Sequence, residues 1–276
     1  MNLPSLQTQA RALRLSGLSA NLELRLQEAT SHQLPHAQFL ELLFQDELNT
    51  RRHRRHYRRT QQANFRENRS LDNFDFSFQP TLSRSQIYQL ASNQYIQEKR
   101  DLLLIGPPGV GKSHLAQALG KEAIKAGHSV LYRSVFDLAR DLSDTSHLPA
   151  ERDKALQHYL RSDLLILDDM GMKTLSAHAT EHLLEIIMRR YELRSTILTS
   201  NRPVEQWGQL LGDAPTATAI LDRILHRAEI IHITGRSHRL QQAADHRSET
   251  TATATATATT GTTTPNSPPP HPQSPS

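Results

Sequence analysis

Residues 102–113, Leu-Leu-Leu-Ile-Gly-Pro-Pro-Gly-Val-Gly-Lys-Ser, constrain this chain more than any other stretch. Four apolar residues, the pattern of a buried strand, run straight into GPPGVGKS, which fits the phosphate-loop pattern G-x-x-x-x-G-K-[ST] at every required position. Gly106, Gly109 and Gly111 let the backbone turn its N–H groups inward, where a side chain would block a phosphate. Lys112 can reach β- and γ-phosphates, and the Ser113 hydroxyl can ligate Mg²⁺. A helix is expected from about His114, with its positive N-terminal end aimed at the same anion. Pro107, Pro108, Val110 and His114 complete the expected nucleotide-binding cradle. A strand before and a helix after separate this pattern from a glycine-rich turn that happens to carry Lys-Ser, and a nucleoside triphosphate is the expected ligand.

The remainder of the chain alternates in step with that first strand. Further strands are expected at 129–133, 163–168, 195–200 and 229–233, beside the one at 102–105. Helices are expected at about 83–99, 113–126, 135–142, 150–161, 176–193 with Ser176 as its cap, 204–211 and 216–227. Short apolar strands between amphipathic helices predict an α/β fold, a doubly wound five-stranded parallel sheet of about 170 residues covered on both faces. Upstream, Leu22 and Leu26, then Phe39, Leu40, Leu43, Phe44 and Leu48, recur at helical spacing with a break near Pro35, which predicts a small helical domain. The expected organisation is a helical region over 1–69, the ATPase-like domain over 70–240 and a tail over 241–276. In that tail 250–264 is almost wholly Thr and Ala and 265–276 holds six prolines, a composition expected to stay disordered.

Two more strand ends carry chemistry. Leu164-Leu-Ile-Leu-Asp-Asp169 places Asp168 and Asp169 at the carboxyl end of a buried strand, where doubly wound sheets bind ligands. Asp168 is the expected Mg²⁺ partner, through water because Mg²⁺ keeps much of its hydration shell. Asp169 is placed to polarise an attacking water, with helix capping or a surface loop as its alternative role. Asn201, in TILTSNRP, could hold that water against the γ-phosphate, or serve only the turn before Pro203.

Charge is unevenly distributed. The whole chain carries net +4, whereas residues 1–70 hold eleven arginines and no lysine against six acids, net +5. The run RRHRRHYRR concentrates Arg51, Arg52, Arg54, Arg55, Arg58 and Arg59 around Tyr57. The expectation is that these arginines fall on every side of a helix, either as a solvated charged segment or, as preferred here, as contacts to nucleic-acid phosphates. If all eight arginines between 51 and 69 touched phosphate, the log–log salt slope of binding would reach about −7. Zero cysteines exclude disulfides and thiolate chemistry, no apolar run reaches the length that spans a membrane, and no secretory leader is expected from residues 1–18, so the expected location is the cytoplasm. His178-Ala-Thr-Glu-His182 matches the H-x-x-E-H zinc pattern, but it opens a helix whose buried face is expected to be Leu183, Leu184, Ile187 and Met188, so both histidines are read as surface residues. Trp207 is read as a packing anchor.

GPPGVGKSHLAQAL, LLILDDMG, TILTSNRPVEQW and AILDRILHRAEIIHITGRSHR together resemble the IstB family, ATP-binding helper proteins of bacterial insertion sequences, related to DnaC helicase loaders within the AAA+ ATPases. The resemblance spans about residues 1–240. It implies an AAA+ core without a full helical lid, with Gly106–Ser113 as Walker A, Asp168 and Asp169 as Walker B, and Asn201 as sensor 1. It further implies that Arg223 is an arginine finger supplied to a neighbouring subunit's ATP, with Arg227 as competitor, and that Arg239 is the sensor 2 arginine. The adenine site is implied around Leu71 to Phe76. The function so implied is a Mg²⁺-dependent ATPase that binds double-stranded DNA with little sequence preference, self-associates through the ATP site and assists a transposase. The alternatives are a loader of a replicative helicase, a non-hydrolysing nucleotide-gated DNA-binding protein, and, less favoured, a small-molecule kinase.

Overall fold

The computed structural model describes residues 2–143, 149–212 and 214–238; Arg239 and the Thr/Ala/Pro-rich tail lie outside the described residues. Three helices open the chain: α1 (Leu3–Ala12), α2 (Ser16–Ser31) and α3 (His36–Ala63). Pro35 supplies the break before α3. The start of α2 has no side-chain cap of its own. Glu47 on α3 takes that role, accepting from the N–H groups of Gly17 at 2.7 Å and Leu18 at 3.1 Å. Arg25 on α2 grips Asp46 on α3 through two parallel bonds of 2.8 and 2.9 Å.

Helix α3 runs unbroken through the arginine run, which corrects one expectation. At about 100° per residue, the six arginines between 51 and 59 fall within an arc of about 160°, less than half the circumference. His53, His56 and Tyr57 occupy the opposite side. The apolar positions upstream lie on helices as expected and divide between core and surface. Leu43 is buried, but Leu40, Phe44 and Leu48 are 50%, 57% and 49% exposed, because α3 turns its polar Asp46 and Glu47 toward α2 instead.

A 3₁₀ turn at 76–78 leads to α4 (Arg84–Ala91) and α5 (Gln94–Gln97). Ser83 caps α4 by accepting from the Gln86 N–H. The single helix expected over 83–99 is therefore two, because Asn93 adopts a left-handed conformation (φ 65°) that ends the first. The sheet follows: β1 (Asp101–Ile105), α6 (Lys112–Lys125), β2 (Val130–Ser134), α7 (Val135–Ser143), α8 (Pro149–Arg161), β3 (Leu164–Met170), α9 (Ala177–Arg190), β4 (Ser195–Ser200), α10 (Trp207–Leu210), α11 (Ala214–Arg227) and β5 (Ala228–His232). The strand order is β2-β3-β4-β1-β5, with every pair parallel.

Strand alternation divides the core. Leu102, Leu104, Leu164, Ile166 and Ile197 face one layer with Leu115 and Leu119 of α6. Leu103, Leu165, Leu167 and Leu198 face the other with Leu138 of α7, Ile186 of α9 and Ile220 of α11. Each such leucine leaves water entirely, a gain of roughly 1.5–3 kcal/mol apiece. Ala63 and Phe65, just beyond the basic run, join the first layer, so α3 is anchored on the sheet domain at its C-terminal end. On α9 the buried face comprises Leu183, Ile186 and Ile187, whereas Met188, expected inside, is 45% exposed. Ser176 caps α9 as expected. Trp207 is fully buried and donates its indole N–H to the Arg202 carbonyl.

Candidate nucleotide-binding site

A cavity of about 210 Å³ lies at the carboxyl edge of the sheet. The phosphate loop from Pro108 to Ser113 forms one wall, while Asp169 and Asn201 come in from the ends of β3 and β4. The loop is shaped by two glycines whose backbone other residues resist. Gly109 (φ 85°) and Gly111 (φ 97°) both sit in left-handed conformations. A Cβ on Gly109 would stand 2.0 Å from Ser237 Oγ, and one on Gly111 would stand 2.9 Å from the Phe74 ring. Lys112, the first residue of α6, is buried, and its Nζ donates to the Gly106 and Pro107 carbonyls at 2.8 Å each. The ammonium is thus held by the loop's own oxygens, at the place where phosphate oxygens would be its acceptors.

Behind the loop, Asp168 is almost fully buried and is surrounded by hydroxyls. Ser113 Oγ donates to its Oδ1 at 2.9 Å, Thr199 Oγ1 donates to the same oxygen, and Tyr132 OH donates to Oδ2. Burial, reinforced by the Asp168 charge, pushes the Tyr132 hydroxyl well above its ordinary pKa, so it stays a donor. Ser113 and Asp168 are two hard oxygen groups side by side, a donor set that suits Mg²⁺.

Asp169 reaches the cavity by a distortion. In a regular strand it would point opposite to Asp168, into the layer that holds Leu167. Instead the β3–β4 register shifts between Leu167 and Met170, and Asp169 takes a left-handed φ of 66°. The N–H of Asp169 donates to Thr199 Oγ1 at 3.1 Å, which fixes the bulge. Asp169 consequently lines the cavity rim, while Asp168 stays buried behind it. Asn201 lines the cavity too, and its amide nitrogen donates to Met172 Sδ at 2.9 Å.

His114 also lines the cavity, and its ring nitrogen turns to the loop that precedes the sheet. Its Nε2 lies 2.9 Å from both the Ser70 carbonyl and Asn73 Oδ1, and its ring meets Phe74 edge-on. Burial holds its pKa below the usual imidazole value, which makes it a neutral donor to those oxygens. The far end of the cavity is lined by Phe74, Asp75, Phe78 and His238. The chain beyond β5 closes over the loop, with the His238 N–H donating to the Gly109 carbonyl at 3.1 Å.

Arg223 lies on α11 away from this cavity, with its guanidinium 5.4 Å from the Tyr191 ring centre and paired with Asp222. Arg227 donates to the Glu98 carbonyl at 3.2 Å and faces Glu192 at 3.9 Å. Of the basic-run arginines, Arg51 pairs with Glu47 and Arg54 donates to Ser16 Oγ, while Arg52, Arg55 and Arg58 point into solvent. His178 and Glu181 are exposed and 3.5 Å apart, and no cluster of three His, Asp or Glu side chains able to hold a metal occurs among the described residues. Reading the sequence missed Tyr132, Thr199 and Arg66; the first two carried a signal, being buried hydroxyl groups on the two strands that flank β3.

The arrangement has counterparts in known proteins. A Pseudomonas aeruginosa protein named for insertion sequence IS21 and for ATP binding is 36% identical over 230 residues, covering 83% of this chain and 86% of its own. A Geobacillus stearothermophilus protein, named in the same way for insertion sequence IS5376, is 33% identical over 78% of this chain and 85% of its own. The crystal structure of DnaI superposes on 60% of this chain and 92% of its own with a TM-score of 0.51 at 27% identity. DnaA from Aquifex aeolicus bound to AMPPCP shares the fold, with a TM-score of 0.53 at 23% identity over 67% of this chain and 56% of its own. With a parallel AAA+ sheet, a phosphate loop at its edge, and a family model of IstB-like ATP binding proteins matching residues 8–246, the chain belongs to the IstB-like ATP-binding protein family.

Proposed function

We propose that this AAA+ protein hydrolyses ATP with Mg²⁺, binds duplex DNA along α3, and assembles through its ATP site to assist a transposase. The observation that carries the reading is the convergence of Lys112, Ser113, Asp169 and Asn201 on one cavity, with Asp168 bonded to Ser113 just behind it. Lys112 exchanges its two loop carbonyls for β- and γ-phosphate oxygens, while the backbone N–H groups of the loop and of the start of α6 cradle the remainder. Ser113 and Asp168 are the residues that would hold Mg²⁺, and the ion would neutralise charge on the phosphate oxygens. Asp169 orients and polarises the attacking water, and Asn201 turns its amide from Met172 to that water. Phe74, Phe78 and His238 offer flat faces for the base. Arg223 of a neighbouring subunit completes the site, and its removal should cost roughly 10³–10⁵ in turnover.

The arginine arc on α3 supports DNA binding through phosphates, which carries little sequence information and is sensitive to salt. Relatives named for insertion sequences support the transposase as partner; the family model matches from residue 8 and so takes in α2 and α3 as well as the sheet domain, which favours this role over helicase loading. The test is light-scattering mass with and without duplex DNA and a non-hydrolysable ATP analogue. Mass should rise only with nucleotide in the wild type, and Lys112→Ala and Arg223→Ala should stay small. Nucleotide-independent mass, or assembly retained in both variants, would overturn the reading.

A further inference from the structure

The segment leaving α3 touches the catalytic machinery at consecutive residues. Asn64 ends the helix in a left-handed conformation. The Phe65 ring then packs 6.2 Å from that of Tyr132, whose hydroxyl serves Asp168. Arg66 follows, with Nη2 donating to Asp137 Oδ2 at 2.9 Å and Nη1 3.6 Å from Asp169 Oδ2. The Glu67 N–H donates to Gln117 Oε1, and Gln117 donates to the Ser113 carbonyl. A short strap therefore joins the basic helix to both Walker B acids and to the loop serine. Asp169 needs such support, because it stands in a left-handed conformation on a bulge and is one-third exposed.

We propose that Arg66 is a positioning residue: bracketed between Asp137 and Asp169, its guanidinium holds the Asp169 carboxylate at the cavity rim. This rests on the hydrolytic reading above in assigning Asp169 a water to orient. Arg66 does not line the nucleotide cavity, so its removal should alter turnover without altering nucleotide affinity. It is not itself a catalytic residue, since it acts through Asp169.

The test compares wild type, Arg66→Ala and Arg66→Lys, alone and in an Asp169→Asn background, by steady-state phosphate release and by hydrogen exchange. Arg66→Ala should lower kcat by about tenfold, on the scale of one misplaced catalytic group, and leave KM for ATP within about twofold. Arg66→Lys should recover much of that loss, and in the Asp169→Asn background Arg66→Ala should change nothing further. Exchange at residues 168–171 should quicken at least about threefold in Arg66→Ala and return toward wild type in Arg66→Lys, with 102–113 unchanged. An unaltered kcat, a rise in KM alone, an additive loss with Asp169→Asn, or unchanged exchange at 168–171 would overturn the proposal. A wild type that releases no phosphate would defeat the hydrolytic reading instead, and the exchange comparison would still decide whether Arg66 holds Asp169.

Discussion

Tyr132→Phe isolates what a single hydroxyl does beneath the phosphate loop. Tyr132 and Asp168 are 2% and 1% exposed, so water cannot replace a lost donor without rearrangement. Ser113 and Thr199 both serve Oδ1, whereas Oδ2 receives its bond from Tyr132. Phenylalanine keeps the ring and its contact with Phe65, so no large cavity contributes and the loss is that of the hydrogen bond to a charged oxygen. Such bonds are worth about 1.5–3 kcal/mol, so the unfolding free energy should fall by about 2 kcal/mol. For a domain of this size that lowers the thermal midpoint by about 4–8 °C. The assay is thermal and urea unfolding without nucleotide, repeated in an Asp168→Asn background. There the buried charge is gone and the same substitution should cost less than about 1 kcal/mol. Equal losses in the two backgrounds would show that Tyr132 stabilises through packing alone and would refute the account of Asp168 as a carboxylate solvated by hydroxyls.

Three other outcomes follow from the structure. Burial pushes the Asp101 carboxyl up to about 6 from its ordinary 3.8, although it accepts from the Thr196 N–H at 2.6 Å. The folded chain therefore binds the proton more tightly, and this contribution to stability is complete below pH 4 and lost as pH rises through about 6. Asp101→Asn should remove that dependence and be more stable than wild type at pH 8 by roughly 2–3 kcal/mol, read from urea unfolding across pH 4–8. Arg190 is buried within the fields of Asp101 and Asp163 and donates to the carbonyls of Tyr159, Ser162 and Ser195 and to Thr196 Oγ1, so Arg190→Met should cost roughly 3–5 kcal/mol in the same assay. Because Arg51, Arg66 and Arg69 already pair with Glu47, Asp137 and Glu67, the salt slope of DNA binding by anisotropy should be about −4 to −5 rather than −7, and should shrink by about 1 for each of Arg52, Arg55 or Arg58 changed to Ala.

The sheet was legible because residues 102–105 of β1 and the first four residues of β3 are pure apolar runs buried on both faces, a pattern that admits few other readings. The phosphate loop and Asp168 were legible because spacing along the chain fixes them. Asp169 was legible as a residue but not as a geometry, since simple alternation points it away from the cavity and only the bulge at 167–170 returns it. Arg66 was hidden because its partners are 71 and 103 positions away, and nothing in a basic linker distinguishes an arginine bound to acids from one in solvent. Which side of α3 would face the core was hidden for a related reason. Helical periodicity marks a stripe, but the register of α3 against α2 is set by the Arg25–Asp46 and Glu47 contacts, which turn that stripe outward.

The central claim is that ATP bound at the 106–113 loop is hydrolysed by this chain's own residues. Its most direct test is steady-state phosphate release with Mg²⁺ and duplex DNA by wild type, Lys112→Ala and Asp169→Asn. Wild type should release phosphate, Lys112→Ala should fail to bind ATP and release none, and Asp169→Asn should bind ATP as wild type does while turning over at least about 10²-fold more slowly. Phosphate release by Lys112→Ala equal to that of wild type, or none from wild type with ATP bound, would contradict the account.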